Sequence, residues 1–226
     1  MIGLIGGMSW ESTVEYYRIM NELVKEKLGG WHSARLLLYS VDFDEIVKLQ
    51  KAGEWKRMGE ILGEIAKTLE NAGAKAVLIC TNTMHKVADD VQNRINVPLI
   101  NIVDATAEVL KKDGVKRAGL LGTKFTMEDG FYQERMKRHG IEIIIPEKEE
   151  DRNAVHSIIF DELCLGIFKE ESEKRLRDIV DELKKRGAEG IILGCTELPL
   201  ILKDDEFYDT TRIHAEAAVQ FMLGNI

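Results

Sequence analysis

The sequence predicts an α/β protein made of two similar doubly wound, parallel-sheet halves. Short continuous apolar runs alternate with longer amphipathic segments, as expected of parallel strands buried on both faces and joined by helices. The stretch LENAGAKAVLICTNTMH from Leu69 aligns without a gap with LKKRGAEGIILGCTELP from Leu183. IGLIGGMSWES from Ile2 also resembles AGLLGTKFTMED from Ala118, with Gly3, Leu4 and Gly6 matching Gly119, Leu120 and Gly122. Two repeats at similar offsets in 226 residues read as a duplication.

The elements follow in order. A strand from Ile2 leads into a helix over Met8 to Leu28, with Ser9 and Ser12 as candidate N-caps. Ala34 to Asp42 reads as a strand, Glu54 to Asn71 as an amphipathic helix, and Val97 to Val103 as a strand feeding a helix from Asp104. In the second half, Ile141 to Pro146 reads as a strand, Ala154 to Leu165 and Glu170 to Arg186 as helices, and DTTRIHAEAAVQFML as the closing helix. Gly73 and Gly187 occupy the position after a helix where glycine is favoured. The expected domains are residues 1–98 plus 208–226, with a returning C-terminal helix, and residues 99–207.

Composition narrows the function classes. A net charge of −8 argues against nucleic acid or an anionic membrane as partner, since both require a basic face. The start of the chain shows neither a signal peptide nor a membrane span. Three widely spaced cysteines do not form a disulfide framework, so a reduced, cytoplasmic protein is expected. Gly3-x-x-Gly6-Gly7 is too loose for a dinucleotide fingerprint. His85 and His214 lack the companions of a metal site, so structural roles and no metal are expected.

In sheets of this kind, ligands bind beyond the carboxyl ends of the strands. The loops at Gly6 to Ser9, Thr81 to Thr83, Thr123 to Thr126 and Cys195 to Glu197 all fall there. The ungapped repeat pairs Thr81, not Cys80, with Cys195, and alternation along a strand points Cys80 to the opposite face. Two groups that flank one carbon suit proton removal on one side and proton return on the other, the geometry of racemisation. Cys195 precedes a small polar segment that reads as a helix start, which would lower the thiol pKa. Cys80 and Cys164 are expected to be packing residues. Backbone and hydroxyl donors at Met8, Ser9, Asn82, Thr83, Thr123 and Thr126 are candidate carboxylate binders.

These motifs, GLIGGMSWEST, CTNTMH, LLGTKFTM and GCTEL, make the chain resemble the aspartate/glutamate racemase family, which works without pyridoxal phosphate. The resemblance runs over essentially the whole chain and is closest to the L-aspartate/glutamate-specific branch. It implies two doubly wound domains with a cleft between them as active site, no cofactor, a small amino-acid substrate and a homodimer. Many members carry catalytic cysteines in the patterns C-N-T and G-C-T; here Cys195 and Thr196 keep the second, while Thr81 stands in the first cysteine's place. Gln50 falls where this branch places a substrate-binding glutamine. The basic residues with which aspartate-specific relatives hold the distal carboxylate are not evident, and Cys164 stands about where their lysine would be. The implied activity is inversion of the α-carbon of aspartate or glutamate. A broader amino-acid range, or a silent amino-acid-binding protein of the same fold, are the alternatives.

Overall fold

A computed structural model describes residues 1–204 and 206–224. The chain divides into two compact units, Met1–Ile102 with Thr211–Ile226, and Val103–Thr210, so both crossings lie a few residues beyond the expected 98 and 207. The first unit contains β1 (Ile2–Gly6), α1 (Trp10–Leu28), β2 (Leu36–Ser40), α2 (Phe43–Ala52), α3 (Trp55–Asn71), β3 (Val77–Ile79) and α4 (Ala88–Gln92). Helix α5 (Ile102–Lys112) carries the chain into the second unit. There follow β4 (Arg117–Gly122), α6 (Lys124–Glu128), α7 (Phe131–Arg138), β5 (Glu142–Ile144), α8 (Glu149–Ser157), α9 (Glu170–Lys185), β6 (Gly190–Gly194) and β7 (Phe207–Asp209). Helix α10 (Thr210–Leu223) returns to the first unit.

Both sheets are parallel, with orders β2-β1-β3 and β5-β4-β6-β7. The repeat reappears in their registers: Gly3 lies beside Val77, and its counterpart Gly119 lies beside Ile191, the counterpart of Val77. The matched glycines share a cause. A Cβ on Gly3 would meet the Cβ of Leu69 at 3.0 Å, and one on Gly119 would meet Cδ1 of Leu183, the counterpart of Leu69, at 3.1 Å. Each glycine thus lets the preceding helix, α3 or α9, lie close against the first strand of its unit. Gly73 and Gly187, at φ 98° and 92°, then turn the chain from that helix into β3 or β6.

Helices cover both faces of the first sheet. Ile2, Leu4, Leu78 and Cys80 pack against Tyr16, Ile19 and Met20 of α1 and Ala215, Ala218 and Val219 of α10. Ile5, Val77 and Ile79 point the other way, onto Met58, Leu62, Ala66 and Leu69 of α3. Each large apolar side chain buried this way contributes about 1.5–3 kcal/mol. Cys80, fully buried among apolar neighbours, belongs to this core, and burial pushes its thiol far up.

Three expectations need correction. Val97 to Val103 is not a strand: Leu99 alone bridges to Val77, because Pro98 has no N–H to donate and the chain already enters α5 at Ile102. Phe207 to Asp209 forms a short strand that the sequence reading passed over. The Ala154 to Leu165 helix starts earlier, at Glu149, and beyond Ser157 winds into a wider turn and then a 3₁₀ turn.

His214 holds α10 in place. Its Nε2–H donates to the Ile100 carbonyl at 2.7 Å and its Nδ1 accepts from the Tyr16 hydroxyl at 2.9 Å, so the imidazole is neutral. Burial pulls its pKa from 6.5 down to about 4. A base depressed in the folded state contributes stability that is present above pH 6.5 and is lost as pH falls toward 4, by about 1.4 kcal/mol per pH unit. Urea midpoints measured from pH 7 to pH 4 should therefore fall less steeply in His214→Gln than in the wild type. Parallel pH profiles would refute this role for His214.

Candidate active site

Because all strands within a sheet run the same way, their carboxyl ends gather along one edge. In the second unit Gly122 and Gly194 are register partners, so Thr123 and Cys195 are the first residues beyond neighbouring strand ends. The backbones approach closely there, since a Cβ on Gly122 would sit 2.8 Å from the Gly194 carbonyl. Thr123 caps α6: its Oγ1 accepts from the Thr126 N–H at 3.2 Å and shares a hydrogen bond with the Thr126 hydroxyl at 3.1 Å.

Cys195 is buried, and its thiol donates to Glu197 Oε2 at 2.8 Å. The Thr196 hydroxyl donates to the same oxygen at 3.1 Å. Glu197 is itself buried, so its carboxylate is aimed at the thiol by position rather than drifting in solvent. This reverses the expected electrostatics. No α-helix follows Cys195; the chain makes only a 3₁₀ turn at Leu198–Leu200, whose dipole is slight. The thiol is pushed well above its ordinary value, first by burial and next by the Glu197 carboxylate, with Cys164 a smaller contributor. The thiol is held protonated and hydrogen-bonded to Glu197. The sequence reading missed Glu197, although it stands in the quoted GCTEL and only two residues from the cysteine.

The first unit offers a different set. Met8 is buried in the core and Ser9 caps α1, its Oγ accepting from the Ser12 N–H at 3.4 Å. Gly7 and Ser9 are tied to the Thr13 hydroxyl, which accepts from Gly7 N–H at 2.9 Å and donates to the Ser9 carbonyl at 2.6 Å. Thr81, Asn82 and Thr83 are buried at the end of β3 and lead into a 3₁₀ turn, Thr83–Val87, not an α-helix. Gln50, on α2, is buried; its amide nitrogen reaches Met84 Sδ at 3.4 Å while its carbonyl oxygen has no partner. A buried, unsatisfied acceptor of this kind is costly unless something arrives to fill it.

His85 fixes the strand end at Thr81. Its Nδ1–H donates to the Thr81 carbonyl at 2.8 Å, and its Nε2 accepts from the Ile102 N–H at 3.1 Å. The Thr81 hydroxyl has no carboxylate or imidazole hydrogen-bonded to it among the described residues. The repeat makes this contrast exact in position: Thr81 corresponds to Cys195, and Thr83 to Glu197. One unit carries a thiol and its acceptor, and the other carries two threonines. Among the described residues no group of three His, Cys, Asp or Glu side chains could hold a metal ion.

The second unit thus presents, at a strand end of a duplicated parallel α/β scaffold, a buried thiol hydrogen-bonded to a glutamate side chain. The chain belongs to the Asp/Glu/Hydantoin racemase family, whose model matches residues 5–218, and it is an isomerase of that kind. A protein of Yersinia pestis is 50% identical and superposes with a TM-score of 0.90 over 98% of both chains. An aspartate racemase homologue from Pyrococcus horikoshii OT3 is 38% identical over 97% of both, with a TM-score of 0.83. The broad specificity amino-acid racemase RacX of Bacillus subtilis is 24% identical, covering 89% of this chain and 87% of its own.

The electrostatics predict a measurable reactivity. With Cys80 and Cys164 changed to alanine, alkylation of Cys195 by iodoacetamide should show a lower pH midpoint when Glu197→Gln is added, since the raising carboxylate is gone. An unchanged or higher midpoint would show that Glu197 does not act on the thiol.

Proposed function

We propose that the chain is a cofactor-independent amino-acid racemase that inverts the α-carbon of aspartate or glutamate, with Cys195 and Thr81 serving opposite faces of one substrate. The observation that carries this reading is the hydrogen bond from Cys195 to Glu197. Starting from the L-enantiomer, Glu197 takes the thiol proton and the Cys195 thiolate removes the α-proton. Thr81, or a water that it holds, returns a proton to the opposite face. The substrate's α-carboxylate and ammonium meet donors and acceptors from Met8, Ser9, Asn82, Thr83, Thr123, Thr126 and Thr196. Gln50, with its unfilled carbonyl oxygen, takes a donor of the substrate. The working form is a cytoplasmic homodimer, as the family resemblance implies.

A wider substrate range is the second reading. It is favoured by the absence of a bidentate arginine for a second carboxylate in the sequence segments where relatives place one, and by the likeness to a racemase named for broad specificity.

Proton–deuterium exchange at the α-carbon, followed for a panel of L- and D-amino acids without added cofactor, tests the reading. Cys195→Ala should abolish exchange while the fold is kept, and Glu197→Gln should slow it by about 10²-fold or more, as loss of a general base does. Substantial exchange in Cys195→Ala would overturn the assignment.

The two faces should also differ in rate. From the L-enantiomer a thiol with an acceptor starts the reaction; from the D-enantiomer an unassisted hydroxyl must, and its pKa is far from ambient pH. Saturating exchange from L should outrun exchange from D, although the equilibrium mixture stays equal in both. Thr81→Cys should raise the D-side rate selectively. Equal wild-type rates, or no gain in Thr81→Cys, would move that role to another residue.

A further inference from the structure

We propose that Glu11 is the counter-charge that holds the α-ammonium of the bound amino acid. This rests on the racemase reading and supplies a group which that reading lacks. The side chains assigned there to the substrate are serine, threonine, asparagine, glutamine and methionine, none of them charged. Glu197 is committed to the Cys195 thiol and the Thr196 hydroxyl. An amino acid nevertheless brings a cation, with three N–H donors.

Glu11 is the second residue of α1, directly beyond the loop that follows the carboxyl end of β1. Thr81 belongs to the same edge of the same unit. The Cys80 N–H donates to the Ile5 carbonyl at 2.9 Å, so the residue after Cys80 lies beside the end of β1. Trp10 is exposed and Ser12 is fully buried, and Glu11 between them is part-buried. It stands at the boundary of core and solvent, where a small ligand can reach it.

One of its carboxylate oxygens, Oε2, is shielded from solvent and accepts no hydrogen bond among the described residues. No lysine, arginine or histidine of those residues pairs with it, and the next cation along α1, Arg18, is taken by Glu15 and Glu22. A charged oxygen out of water and without a donor is costly, more so than the neutral orphan on Gln50.

The helix does not need this arrangement. Ser9 already caps α1, its Oγ accepting from the Ser12 N–H, and the Ser12 hydroxyl returns to the Ser9 carbonyl at 3.3 Å. Glu11 sits one position short of the glutamate of a capping box. The helix dipole favours an acid in the first turn, but an exposed one serves that purpose. Among the described residues no further His, Cys, Asp or Glu side chains gather with it into a metal site. The group that fits is a small donor-rich cation, and the ammonium of an amino acid is one.

Titration calorimetry on the full chain tests this with ligands that differ only at the α-substituent: L-aspartate against L-malate, and L-glutamate against L-2-hydroxyglutarate. In at least one pair the wild type should prefer the amino acid by about tenfold or more, as a hydrogen bond to a charged group gives. In Glu11→Gln that preference should largely disappear, through lost affinity for the amino acid and not for the hydroxy acid. Glu11→Asp should keep part of it. In α-proton exchange Glu11→Gln should raise KM by about tenfold, with a smaller change in kcat. Without ligand, Glu11→Gln should raise the urea midpoint, because an orphaned charge is gone; a carboxylate serving the helix start would make it fall. A wild type that binds both members of each pair alike overturns the assignment. So does a preference that survives in Glu11→Gln, or a lowered midpoint. If no amino acid exchanges its α-proton while the binding preference stands, racemisation fails and the role of Glu11 remains.

Discussion

The fold depends on how closely a helix can lie against a parallel strand. At Gly3 and Gly119 there is no room for a Cβ beside Leu69 and Leu183, so α3 and α9 settle onto β1 and β4 in the same way. The same two helices end at glycines with positive φ and hand the chain into β3 and β6 in matching registers. Strand ends are placed by that packing, and so are Thr81, two residues past β3, and Cys195, the first residue past β6. Thr81 and Cys195 owe their equivalence to buried leucines and absent methyl groups far back along the element.

Around Cys195 the energetic preference is the opposite of what a reactive thiol is usually given. Burial and a neighbouring carboxylate both favour the protonated form. The thiol is held protonated and hydrogen-bonded to Glu197. A thiol held protonated in this way is a poor nucleophile toward passing electrophiles. A thiolate stabilised by a helix start would lack that protection.

The fold class was legible because its signals are local: apolar runs, glycine stops and a repeat with a fixed offset. The parity argument that set Cys80 apart from Thr81 is reflected in Cys80 packing with Leu4 and Leu78 on the α1 and α10 face. What could not be read depends on contacts distant in sequence. Val97 to Val103 has the composition of a strand, yet only Leu99 bridges to Val77 before the chain turns into α5 at Ile102. Thr81 to Thr83 looks like a helix start, but the chain closes a 3₁₀ turn because His85 reaches back to the Thr81 carbonyl. The role of Glu197 was hidden because a glutamate after a strand reads as solvated surface until its burial is known.

The commitment of both His85 nitrogens to main-chain partners has a further consequence. An imidazole beside a strand end would ordinarily be a ready proton courier. This one has no spare nitrogen, and leaving either bond would strand a buried amide or carbonyl. His85 is therefore a brace and not a wire, and the Thr81 end is cut off from any internal proton reservoir through it. The duplicated scaffold has kept both tips in place while letting them diverge. One tip carries a thiol in contact with a carboxyl side chain, and the other carries threonine hydroxyls in the matching positions.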